Sequence, residues 1–262
     1  MTEERKALER PLTPRSVVAS LLLGMRPPRL AGARLVRWCG LFGIAPGTAR
    51  VALSRMVDRG ELVAQDGVYE LAGRVRGRQP AQEWSLAPDL LRWQGRWAIA
   101  VVDARARPAT ERAALRDAMR RLRYGEEREG VWVRPDNLPD AAAPADAWAI
   151  GRSQCSWWRG EPEAGAAERA ELLFAPKTWA RRAEQLTIRL RRATESLTAA
   201  TDSRLADGFI VGAAVLAHVR ADPLLPAELC PSDWPGADLR GAYVAYQGAF
   251  ASAVRDWFRA DA

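Results

Sequence analysis

The 262-residue chain carries 39 Lys and Arg against 32 Asp and Glu, a formal net charge of +7, with 48% hydrophobic residues, three Cys and one His. At roughly 100–200 residues per domain it has room for two or three domains, and its apolar content excludes a disordered chain. The longest apolar run, Val17–Met25, is too short for a membrane span of about 18 residues and has no small-residue cleavage site behind it, so neither a membrane helix nor a secretory signal is expected.

Residues 1–12 are polar. Thr13-Pro14 then opens an apolar segment that runs to Gly24, with Thr13 as N-cap and Pro14 in the first helical position. Pro27-Pro28 breaks the chain, and a second helix is expected from about Ala31 to Leu41, with Leu35, Trp38 and Cys39 as core positions. A third helix starts at Pro46 and runs to Asp58, stopped by Gly60. The segment Glu61–Leu71 alternates apolar and polar residues around Asp66-Gly67, a hairpin signal. Helix, helix, Gly-containing turn, helix and hairpin is the order of a winged helix-turn-helix, which the third helix would serve as recognition helix. At 100° per residue Ala49, Ala52, Leu53, Met56 and Val57 share an inward face. The opposite face carries Gly47, Val51 and Ser54, flanked by Thr48, Arg50 and Arg55. Arg suits bidentate contact with guanine, and Thr and Ser suit phosphates or base edges. Arg74, Arg76 and Arg78 follow the hairpin, where backbone contacts from a wing would fall. The bland alternative is a trihelical subdomain with a solvated face.

Residues 77–92 read as a linker. Trp97–Asp103 is a buried-strand run, followed by a helix from Thr110, as N-cap, to about Tyr124 and a strand at Val131–Val133. Trp148–Ile150 and Gln154–Trp158 are possible further strands, so a ferredoxin-like α+β unit is expected. Seven of the eleven Trp lie between Trp84 and Trp158, as core and interface fillers rather than an aromatic ligand box. Helices are expected from Lys177 to about Leu197, Ser203 to about Arg220 and Asp238 to Ala260, with a proline-dense segment, Asp222–Gly236, before the last. The fold class is α+β: a winged helix-turn-helix over 13–78, a ferredoxin-like middle domain over 93–170 and a helical C-terminal domain over 176–262.

Composition removes several chemistries. A single His218 and no Cys-x-x-Cys leave a zinc site short of ligands, and there is no G-x-S-x-G, G-x-G-x-x-G or phosphate-binding lysine loop. No catalytic residue, metal or cofactor is assigned. Three scattered Cys do not make a disulfide framework, and a reducing cytoplasm is expected. The charge is uneven: residues 1–80 hold 14 Lys and Arg against 7 Asp and Glu, whereas residues 81–262 hold 25 of each. Between Glu9 and Asp58 there is no acid, while Arg10, Arg15, Arg26, Arg29, Arg34, Arg37, Arg50 and Arg55 fall there. GC-rich coding explains Arg in place of Lys but not 48 residues without an acid. Such a basic field is the footprint of a polyanion-binding domain.

The run Asp222-Pro223, Leu225-Pro226, Leu229, Pro231 and Trp234-Pro235-Gly236 after His218 resembles the C-terminal signature of the phenylacetic-acid catabolon repressor (PaaX-like) family of bacterial transcription regulators. Ile44-x5-Arg50-x2-Leu53-x-Arg55-Met56-Val57-x2-Gly60 is similar to that family's recognition helix and wing, and Trp97–Asp103 with Gly130–Val133 resembles its central domain. The likeness spans about residues 13–258. It implies a homodimeric repressor of a phenylacetate-type catabolic operon, with double-stranded operator DNA as partner and release by an acyl-CoA effector such as phenylacetyl-CoA. It also implies Arg50 and Arg55 as DNA contacts, with Ser54 beside them. Where the family has His-x-Tyr-Arg, this chain has His218-Val219-Arg220, so the aromatic residue is missing and, if that stretch lines the effector pocket, a different acyl group or none is implied. An anionic CoA would need a local cluster such as Arg181, Arg182, Arg189, Arg191 and Arg192, which also reads as a solvated helix face. The central domain's likeness to a CRISPR adaptor nuclease raises Asp103 as a metal ligand, against its reading as a turn cap. The alternative function is thus a metal-dependent nuclease or an acyl-CoA-processing enzyme built on the middle domain.

Overall fold

The computed structural model describes residues 12–103, 108–139, 144–162, 165–199 and 201–260, apart from the side chains of residues 74, 78, 81 and 199. The chain forms two compact units: residues 1–86, 183–221 and 236–262 make the first, and 87–182 with 222–235 make the second.

The first unit begins with α1 (Pro14–Leu23). Thr13 Oγ1 accepts from the Ser16 amide while the Ser16 hydroxyl oxygen accepts from the Thr13 amide, a reciprocal cap on two otherwise unsatisfied donors. A short strand β1 (Arg29–Ala31), not expected from the sequence, leads into α2 (Gly32–Gly40) and α3 (Pro46–Asp58). The strands β2 (Leu62–Gln65) and β3 (Val68–Leu71) pair antiparallel with Gln65 opposite Val68, and β1 joins the other edge of β3. Asp66 and Gly67 both have positive φ, 51° and 75°. A two-residue loop with that geometry matches the twist of the strands, and Gly67 adopts it without a Cβ penalty.

After the hairpin come α4 (Gly73–Arg76) and α5 (Arg78–Leu86). The expected linker is therefore helical over most of its first half. Pro80 falls in the first turn of α5, where its missing N–H costs no intrahelical bond, and Gln82 and Ser85 are buried.

The unit is completed by the distal part of α9 (Pro176–Ser196), by α10 (Asp202–Arg220) and by α11 (Gly236–Arg259). Their junction with the winged helix is an aromatic core. Trp38 of α2 is fully buried and makes edge-on contacts with Phe42, Phe209, Phe250 and Trp257 at centroid distances of 5.6–6.0 Å. Arg37 lies 3.6 Å over the Trp257 ring and donates to its carbonyl oxygen at 3.1 Å.

The second unit contains β4 (Trp97–Val102), α6 (Ala109–Arg121), β5 (Gly125–Arg128), β6 (Val131–Pro135), α7 (Ala145–Gln154) and β7 (Cys155–Gly160). The antiparallel sheet has the order β5-β6-β4-β7, the arrangement of a ferredoxin-like fold. Three local expectations change. The N-cap of α6 is Pro108, whose fixed φ suits the position, rather than Thr110. Trp148–Ile150 is helical, because a three-residue apolar run carries no period and Asp146 supplies a favourable first-turn acid. Gly125–Arg128 is a strand, and α8 (Ala166–Phe174) follows the sheet.

Register decides which sheet face each residue serves. Ala98, Ala100 and Val102 align with Arg159, Trp157 and Cys155 on one side, and this face packs on Leu115, Met119 and Ala147 of α6 and α7. Trp97, Ile99, Val131 and Val133 form the other face, which packs on Ala170 of α8 and on Leu225 and Leu229 of the proline-dense segment. That segment is held by buried polar groups. Asn137 Nδ2 donates to the Leu224 carbonyl at 2.9 Å, and the Leu224 amide donates to Asp222 Oδ1 at 2.8 Å. The Trp234 ring stacks on Trp179 at 4.5 Å.

Candidate nucleic-acid interface

Helix α3 is laid down by Pro46 at its first turn and held by Ala49, Leu53 and Met56, all buried, with Ala52 and Val57 half-buried. Burial of that stripe turns Thr48, Arg50, Val51, Ser54 and Arg55 outward, and all five are exposed. Val51 is 51% exposed, an apolar side chain on an otherwise polar face, suited to a thymine methyl. Arg50 and Arg55 have no carboxylate partner among the described residues, and neither do Arg29 at the start of β1 and Arg59 after α3. A groove of about 550 Å³ between the start of α1 and α3 is lined by Thr48, Val51, Arg55 and Arg59.

Other arginines of the acid-free stretch are engaged internally. Arg15 makes a bidentate pair with Glu61 at 2.8–3.0 Å, and Arg26 pairs with Glu83 at 2.5 Å. Arg76 sits in α4 and pairs with Glu70 of β3 at 3.1 Å, so the two wing-side groups hold each other at the surface. The Arg74 side chain lies outside the described residues, as does that of Arg78.

The first unit also holds a cavity of about 740 Å³ between α1, α10 and α11. Its walls are apolar, including Leu23, Phe209, Leu216, Tyr246, Phe250 and Phe258. Six arginines line it, and among the described residues no Asp or Glu does. None of the five α9 arginines singled out from the sequence lines it; Arg191 instead pairs with Asp238 at 2.5 Å. The cavity arginines come from five separate segments and make no local pattern, so the sequence showed Arg15, Arg26 and Arg34 only as part of a basic stretch and gave no sign of Arg220, Arg255 and Arg259 beside them. His218 is half-buried in the last turn of α10.

In the second unit, Asp103 at the end of β4 accepts from the Ser156 hydroxyl at 3.1 Å. Among the described residues no three His, Cys, Asp or Glu side chains gather to hold a metal. Burial pushes the Cys39 thiol up to about 11, and burial with Asp222 and Glu228 nearby pushes Cys230 up to about 12, so both are protonated at neutral pH.

Three family models match in succession: PaaX-like protein over residues 13–75, PaaX protein central Cas2-like domain over 91–169, and PaaX-like protein C-terminal domain over 175–260. The chain belongs to the PaaX-like family. This is a family of regulators of phenylacetate catabolism rather than of enzymes, and the chain is a transcriptional regulator. Among solved structures, the chain is similar to an uncharacterized protein, Rv0674, from Mycobacterium tuberculosis, with 38% identity over 94% of this chain and 99% of that one and a TM-score of 0.71. No curated protein matches the chain. The PaaX-like chain has, among its described residues, no helix long and apolar enough to cross a membrane.

Proposed function

We propose that this PaaX-like regulator is a homodimeric repressor that reads a palindromic operator with α3 and is released by an acyl-CoA thioester, phenylacetyl-CoA or a relative with a different acyl group. The observation that carries the reading is the exposed face of α3, where Arg50 and Arg55 stand without a carboxylate partner among the described residues. In this reading residues 13–78 bind DNA, 93–170 form the middle domain and 176–262 serve effector binding and dimerisation. Arg50 and Arg55 contact base edges in the major groove, Thr48 and Ser54 contact phosphates or bases, and Arg74 and Arg76 contact the flanking backbone. Phosphate neutralisation supplies much of the affinity.

Release requires an effector that binds the DNA-incompetent arrangement more tightly. Moving a 1:99 population to 99:1 takes roughly 5.5 kcal/mol of differential binding. A gel-shift titration with the DNA upstream of the chain's own gene tests the reading. Retention of that fragment at concentrations where a scrambled sequence is free supports it, and equal affinity for both overturns it. Addition of phenylacetyl-CoA to the specific complex then tests release.

A further inference from the structure

The cavity of the first unit gives the acid-free stretch a second physical role. Three of its arginines, Arg15, Arg26 and Arg34, line this cavity, Arg15 standing also at the groove beside α3. Arg220, Arg255 and Arg259 come from α10 and α11, so six guanidinium groups line one space; Arg15, Arg26 and Arg259 are paired with Glu61, Glu83 and Asp256, which are not among its lining residues. Arg34 lies 5.4 Å over the Phe258 ring, and Arg255 and Arg259 flank Phe258 one turn apart on α11. Positive charge is thus gathered at the Phe258 end. Arg255 is exposed and has no carboxylate partner among the described residues.

The remaining walls are apolar and aromatic. Small residues on α10 let the aromatic wall lie close: a Cβ at Gly212 would meet the Tyr246 hydroxyl at 2.4 Å, and Ala213 and Ala217 also line the space. Tyr246 is fixed by donating to the Gly208 carbonyl at 2.8 Å, so this wall is preformed. The volume of about 740 Å³ lies within the range of roughly 300–1,000 Å³ occupied by small-molecule sites. An apolar chamber with Arg34 and Arg255, both without a carboxylate partner among the described residues, at one end fits a ligand with an apolar body and an anionic end. Its binding would combine area burial with charge-assisted contacts.

We infer that this cavity is the regulatory ligand site, that it takes a hydrophobic anion, and that its occupant acts directly on the DNA-reading helices. The inference rests on the repressor reading for its last step only. The cavity wall includes Ala19, Ser20 and Leu23 of α1, and α1 packs against α3. An occupant between α1 and α11 therefore bears on the support of the recognition helix within one compact unit. The anion has two chemical sources, a free carboxylic acid or its CoA thioester, and both present an apolar acyl body joined to negative charge.

The test is calorimetric titration of the full chain, without DNA, with octanoate, octanoyl-CoA and neutral octanamide. Binding of one octanoate or one octanoyl-CoA per chain, at least tenfold tighter than octanamide, is expected; whichever anion binds identifies the source. Arg255→Gln, a surface substitution, should weaken the anion at least tenfold, and Ala213→Phe should abolish binding by filling the chamber. Absence of binding by both anions overturns the site, as does anion binding indifferent to both substitutions. Equal binding of octanamide overturns the anion requirement. The same preparations are then tested for operator retention. Full occupancy without loss of DNA overturns the regulatory step, whereas a chain that never prefers its operator fails the repressor reading while the DNA-free titration still decides the site.

Discussion

The two compact units both use arginine to tie elements together, and only the first also leaves a set of arginines facing solvent beside a helix and a cavity. In the second, guanidinium groups tie one element to another: Arg121 of α6 to Asp146 of α7, Arg116 of α6 to Glu126 of β5, Arg159 of β7 to Asp136, and Arg169 of α8 to Glu127 of β5. In the first, Arg29, Arg50, Arg55 and Arg59 have no such partner among the described residues, and neither do Arg34 and Arg255, which line the cavity. Residues 81–262 carry equal numbers of acids and bases, while the excess positive charge of residues 1–80 sets up a field for anions. The +7 of the whole chain is a property of its first 80 residues, and the fold divides that excess between an exposed helix face and an internal chamber.

The largest way to break the contrast is to remove the core on which the first unit depends. Trp38→Ala deletes a fully buried ring in contact with four aromatic neighbours. It should cost about 3–5 kcal/mol in chemical denaturation followed by circular dichroism, and abolish DNA and anion binding together. A loss below about 1 kcal/mol would show that the two helical parts do not share one core.

Arg50→Ala should leave the melting temperature in place and weaken operator binding by about 1–3 kcal/mol, with specificity relaxed at one base pair. Gel shifts against a panel of single-base operator variants report it, and an unchanged preference at every position refutes the contact. Arg76→Ala is expected to act more weakly. It must leave Glu70 to meet a phosphate, so the slope of log affinity against log salt should fall by no more than about one, uniformly across sequences.

The smallest effect belongs to the second unit. The hydrogen bond and charge of Arg121 hold the Asp146 carboxyl below the usual carboxylate range. Its contribution is complete above the carboxyl's unfolded value and is lost as pH falls through the lowered folded value. The pair is exposed and screened, so Asp146→Asn should cost only about 0.2–1 kcal/mol at neutral pH, and the difference from the parent should vanish in acid. A cost that persists at low pH would place the effect in packing instead.

The elements that could be read locally were those whose determinants are local. Thr13-Pro14 and Pro46 start helices, and Asp66-Gly67 turns a hairpin, through backbone preferences of a few adjacent residues. The α3 face with Arg50 and Arg55 follows from helical period alone, and the charge asymmetry from counting. Trp148–Ile150 and the 77–92 stretch misled because short apolar or proline-containing runs have no period, and their state is set by what they pack on.

Sequence alone therefore settled the order of helices and hairpin at the head of this protein, the outward face of α3 and the place of its excess charge. Tertiary structure decided which distant segments share a core. It put the proline-dense segment, 87 residues from Asn137 along the chain at their hydrogen bond, over the second face of the central sheet. It also gathered arginines from α1, α2, α10, α11 and the turn after α1 around one cavity. Caps, turns and helical faces depend on neighbours within a few residues, whereas a cavity is defined by segments that meet only when the chain folds.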